Sequence, residues 1–70
     1  MIREDPPARD GKWRRIAREV VDLDDWHRVD WFTSYHSAAY GVRRLRQEGC
    51  EARVGRISER EYGVWARSAK

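Results

Sequence analysis

Seventy residues make a single domain, and a chain this short buries only about 60% of the surface it exposes when unfolded, so its core is small. A lone cysteine, Cys50, excludes an internal disulfide. A net charge of +3 is too mild to assign a nucleic-acid partner by itself, and no apolar run reaches the length of a membrane span or a signal-peptide core, so no membrane association and a cytoplasmic location are expected.

The composition is 40% hydrophobic and 39% charged, with four Trp, three Tyr and one Phe to fill a core. All of the basic residues except Lys12 and Lys70 are arginine. GC-rich coding gives such a bias, and so does a need for bidentate contact with phosphate or guanine.

Residues 1–11, MIREDPPARDG, hold both prolines and read as a flexible N-terminal arm, leaving 12–70 as the folded domain. Residues 12–22, KWRRIAREVVD, fit a helix with Trp13, Ile16, Ala17 and Val20 on one side. Asp10 is its expected N-cap, and Arg15–Glu19 and Arg18–Asp22 have the i, i+4 spacing of weak ion pairs. A strand over the same residues would put apolar groups among arginines on both faces, so the helix is preferred.

An acidic turn, DLDD at 22–25, leads into WHRVDWF at 26–32. This stretch reads as a short strand carrying three aromatics, with a helical turn as the alternative. A second helix follows, capped at Thr33 or Ser34, running to Gln47 or Glu48 and stopped by Gly49. With Val42 at the centre of its buried stripe, Tyr35, Ala38, Ala39 and Leu45 face the core. His36, Tyr40, Arg43, Arg44 and Gln47 then share the wet side.

After Gly49 the period becomes two. CEARVGRI at 50–57 and YGVWARS at 62–68 read as a hairpin closed by SERE. Tyr62, Val64 and Ala66 point one way, with Ala52 and Val54 of the partner strand. Gly63, Trp65 and Arg67 point the other way, with Glu51, Arg53 and Gly55. The expected fold is therefore a single α+β domain, helix–strand–helix–hairpin, with a winged-helix-like arrangement as the alternative. Self-association would support so small a core.

The succession WRRIARE, DDWHRV, SAAYGVRRLR, CEARVGR and YGVWARS resembles a group of short uncharacterised proteins from phages of actinobacteria. The group's pattern has glycine after Arg-Arg, where this chain has Leu45, and a proline-containing link that this chain lacks. The resemblance implies a small cytoplasmic phage or prophage protein and supplies no activity.

Two surfaces are candidate sites. In the first, Tyr40, Arg43, Arg44 and Gln47 on the second helix, followed by a basic hairpin, look like the recognition helix and wing of a small DNA binder. Arg pairs with guanine and Gln with adenine in the major groove. Tyr40 would pack on sugar-phosphate, and Arg53 and Arg56, with Arg60, would contact phosphate. The bland alternative is a solvated face whose arginines match the helix macrodipole. In the second, Trp65 beside Arg67 and Arg53 on an uncovered sheet face would suit a host protein whose activity this chain modulates, since Trp and Arg dominate interface hot spots.

Other chemistry is not expected. Asp22, Asp24, Asp25 and Asp30 with His27 lack the glycine and closing Glu of a calcium loop. His27, His36 and Cys50 are too scattered for zinc or for a thiol–imidazole nucleophile. The protein is thus expected to be no enzyme and to need no cofactor.

Overall fold

The structure is a computed structural model and describes residues 8–69. Its elements are α1 (Ala8–Val20), β1 (His27–Phe32), α2 (Tyr35–Gln47), β2 (Glu51–Ser58) and β3 (Glu61–Arg67). This is the expected helix–strand–helix–hairpin order, with the strand alternative holding for the 26–32 stretch from His27 onward and Trp26 just ahead of it. The part of the expected arm at 1–7 lies outside the described residues. Residues 8–11 are not arm but the first turn of α1, so Asp10 is inside the helix and not its cap. Neither expected ion pair on α1 closes among the described residues, and Asp22 falls beyond the helix end at Val20.

The three strands form one antiparallel sheet in the order β1-β3-β2, so β3 is central and β2 is an edge. Both helices cover the same side of this sheet. Trp13, Ile16, Ala17 and Val20 of α1 and Ala38, Val42 and Leu45 of α2 close over Ala52, Val64 and Ala66. The hairpin is thus the floor beneath α2, not a wing standing beside it. Only two layers are stacked, and the molecule is 14 Å thick along its shortest axis. The opposite face of the sheet carries no element among the described residues.

Local chemistry sets the joints. The Ser34 side chain accepts from the Ser37 amide at 3.4 Å and begins α2. At the other end Gly49 takes φ of 95°, and the amides of Gly49 and Cys50 donate to the carbonyls of Arg46 and Leu45. That paired closure needs a left-handed residue, which glycine supplies without a Cβ penalty.

The irregularity between Arg28 and Asp30 in β1 turns both Val29 and Asp30 toward the helices. Val29 packs on the core and Asp30 pairs with Lys12 of α1. Lys12 also lies 5.1 Å and 5.3 Å from the ring centroids of Trp13 and Phe32, which are themselves 6.0 Å apart. Asp30, grouped in sequence with the acidic turn, instead joins β1 to α1.

One face assignment is corrected. Tyr35 was expected in the core, yet it is 54% exposed and meets Tyr62 edge-on at 5.6 Å. The buried stripe of α2 is Ala38, Gly41, Val42 and Leu45, so Val42 belongs to it at one side and not at its centre. Gly41 is the cause. A Cβ there would lie 2.4 Å from Cη2 of Trp13, so the bare backbone admits the indole of α1 and rolls α2 toward it. Tyr35 is carried out to the edge of the stripe.

Candidate nucleic-acid interface

The residues expected to bind nucleic acid do not form one ridge. Arg43 and Gln47 stand on the wet side of α2, and Arg43 has no ion-pair or hydrogen-bond partner among the described residues. Arg44 is turned along its own helix. Its Nη1 donates to Gln47 Oε1 at 2.6 Å and its Nη2 lies 3.5 Å from Glu48 Oε2, with only 15% of the side chain exposed. Glu48 is shared with Arg14 of α1, whose Nε is 4.0 Å away. Arg44 therefore helps to hold the helix pair together. Its position one-third of a turn from Arg43, on the side toward α1, accounts for the difference.

Tyr40 is 39% exposed and borders a separate cleft of about 510 Å³ with Lys12, Trp13, Phe32, His36 and Ser37. Arg56 folds back into the hairpin turn, where Nε donates to Ser58 O at 3.1 Å and Nη2 to Glu59 O at 3.2 Å. It pairs across the strands with Tyr62, on the helix side, whereas Arg53 pairs with Trp65, on the open side. The two hairpin arginines are therefore on opposite faces of β2.

What converges instead is a groove of about 570 Å³ between α2 and the edge strand, lined by Tyr35, Arg43, Arg46, Gln47, Arg53 and Val54 among others. Three arginines and no carboxylate border it. The Nε of Arg46 donates to the Ala52 carbonyl at 3.1 Å, which fixes the end of α2 over the outer edge of β2. Arg46 was not singled out in the sequence. It stands one helical turn after Arg43, and that i, i+3 spacing was the available signal.

Arg53 borders a second concavity as well, a slot of about 420 Å³ on the open sheet face, lined also by Trp26, Val54, Gly55 and Trp65. The guanidinium carbons of Arg53 and Arg67 lie 4.4 Å and 4.7 Å from the Trp26 ring centroid. Both contacts are within cation–π range. Arg67 Nε also meets Glu51 Oε1 at 2.6 Å. The Trp65 ring lies over two glycines. A Cβ on Gly63 would come within 2.4 Å of it, and one on Gly55 within 2.9 Å. Trp31, 50% exposed, and Ile57, 38% exposed, belong to the same face, as the cross-strand pairs of β1 and the contact of Ile57 with Gly63 show. Trp65 and Arg67 thus stand together as expected, while Trp26 joins them through a strand pairing distant in sequence.

Cys50, at the end of α2, is half-buried and its thiol lies 3.8 Å from the Ala17 carbonyl. Burial, and secondarily the charge of Glu48, raise its pKa above the ordinary thiol value. A thiol held protonated is a poor nucleophile. No helix among the described residues is long and apolar enough to cross a membrane. No protein-family model, curated protein or solved structure matches this chain.

Proposed function

We propose that this chain is a small nucleic-acid-binding accessory or regulatory protein, of the phage type its motifs resemble, that grips the phosphate backbone in the groove between α2 and β2. One observation carries the proposal: Arg43, Arg46 and Arg53 line a single concave surface with Gln47 and no carboxylate. Arginine presents a planar fork of donors that matches phosphate oxygens, and a groove bare of acidic groups does not neutralise it internally. Arg44 and Arg56 are read as structural, since each donates hydrogen bonds within its own element.

The test is a titration of the full chain with fluorescent DNA at several salt concentrations. Three phosphate contacts predict a log–log salt slope of about −2 to −3. Arg43→Ala combined with Arg46→Ala should flatten that slope by about two contacts and weaken binding steeply, whereas Arg18→Ala, on the exposed side of α1, should do neither. Absence of binding in low salt, or binding indifferent to the double substitution, contradicts the proposal.

A further inference from the structure

The open face of the sheet bears on what form of nucleic acid is bound. Duplex DNA presents phosphates and groove edges, and an arginine groove suffices for it. Single strands also present the flat faces of unpaired bases, which proteins hold on aromatic rings and guanidinium planes beside a basic track. The open face has that second set of parts. Trp65 lies over positions 55 and 63, both glycine, and its partly exposed indole lines the slot. Trp26 flanks the same slot with Arg53 against its ring. Arg28, exposed, stands across the strands from Trp65, and Arg67 completes a basic surround in which Glu51 is the acidic partner.

The slot and the groove share Arg53 and Val54 on the edge strand. They form one surface that passes around β2, with phosphate chemistry on the helix side and ring chemistry on the open side. We infer that the ligand is single-stranded nucleic acid, one base stacking on Trp65 in the slot beside Trp26 while the backbone crosses β2 at Arg53 into the Arg43–Arg46 groove. This rests on the nucleic-acid reading above and adds the strand state and the base-binding residue.

The experiment compares a labelled oligothymidylate of about 12 nucleotides, a length suited to one small stacking domain, with its duplex, using the full chain. The single strand should bind roughly tenfold or more tightly than the duplex, as expected when a stacked base adds to shared phosphate contacts. Trp65→Leu keeps an apolar cover over the glycines but removes the ring. It should weaken single-strand binding about five- to a hundredfold, leave duplex binding unchanged and leave the circular-dichroism melt in place, and Trp65→Phe should restore most of the loss. Should Trp65→Leu disturb folding, ultraviolet crosslinking of bromouracil-containing strand to the unmodified protein decides the matter, the adduct being expected on the peptide that carries Trp65.

Several results would overturn the inference. Equal binding of the two forms, or full single-strand binding by Trp65→Leu, would leave the nucleic-acid reading standing and give the open face to a protein partner. Displacement of the oligonucleotide by thymidine monophosphate at equal base concentration would make the slot a nucleotide site. Failure of both forms to bind would remove the underlying reading as well.

Discussion

At the scale of single residues, the structure separates groups available for chemistry from groups spent on the fold. Arg43 and Arg46 are near neighbours of Arg44, yet only Arg44 is drawn in beside Glu48 and Gln47. Cys50 makes the same distinction for sulfur. Its thiolate is the form the fold disfavours, because burial strips solvent from it and Glu48 repels it. The unfolded chain therefore loses the proton first as pH rises. The stability this thiol contributes is complete below the ordinary thiol pKa and is lost as pH climbs through the raised folded value. Iodoacetamide at mildly alkaline pH should accordingly alkylate the native protein several-fold more slowly than the urea-unfolded chain, in line with the smaller thiolate fraction. Equal rates would contradict the burial described here.

At the scale of elements, the crossing of α1 and α2 depends on one missing side chain. Trp13 is 2% exposed and its ring occupies the space where a Cβ on Gly41 would project. Gly41→Ala adds helix propensity worth up to about 1 kcal/mol but overpacks the crossing at about 1–3 kcal/mol, and the net should be a loss. Gly11→Ala, in α1 with nothing within 4 Å of the new Cβ, should instead gain about 0.5–1 kcal/mol. Urea denaturation of the two variants should move their midpoints in opposite directions. A Gly41→Ala protein as stable as Gly11→Ala would mean the helices do not cross as described.

The same contact shows why the sequence was legible only in part. The alternation of β2 and β3, the Ser34 cap and the Gly49 stop are local signals, and each appears where expected. Apolar periodicity on α2 reflects side chains, and a glycine has none, so the roll toward Gly41 leaves no mark in that pattern. The pairing of β1 with β3 joins residues thirty or more positions apart and has no local signature, so Trp26 was not placed beside Arg53. Arg53 and Arg56 were grouped as hairpin arginines although their odd spacing already put them on opposite faces. Two glycines on the face of Trp65 were a readable sign that its ring would lie over them.

At the scale of the whole molecule, a two-layer domain has one covered and one bare sheet face, and this chain's exposed aromatics are divided between the bare face and the rim of α2. Trp31 and Ile57 extend the bare face beyond the slot and enlarge the area over which a strand can lie. With β2 at the edge, the slot and the arginine groove are adjacent instead of being screened by another strand. A wing-and-helix geometry would have required Arg44, Gln47 and Arg56 to point outward together, whereas Arg44 is bonded to Gln47 along its own helix and Arg56 is bonded into the hairpin turn.

The most direct measurement is an amide chemical-shift map of the protein titrated with oligothymidylate in low salt. The account predicts that the perturbed amides cluster at Arg43, Arg46 and Gln47 on α2, at Arg53–Gly55 on β2 and around Trp65 on β3, with the Trp26 and Trp65 indole N–H signals moving and α1 silent. Shifts confined to α1 or to the Tyr40 cleft, or no shifts at saturating strand, would contradict it.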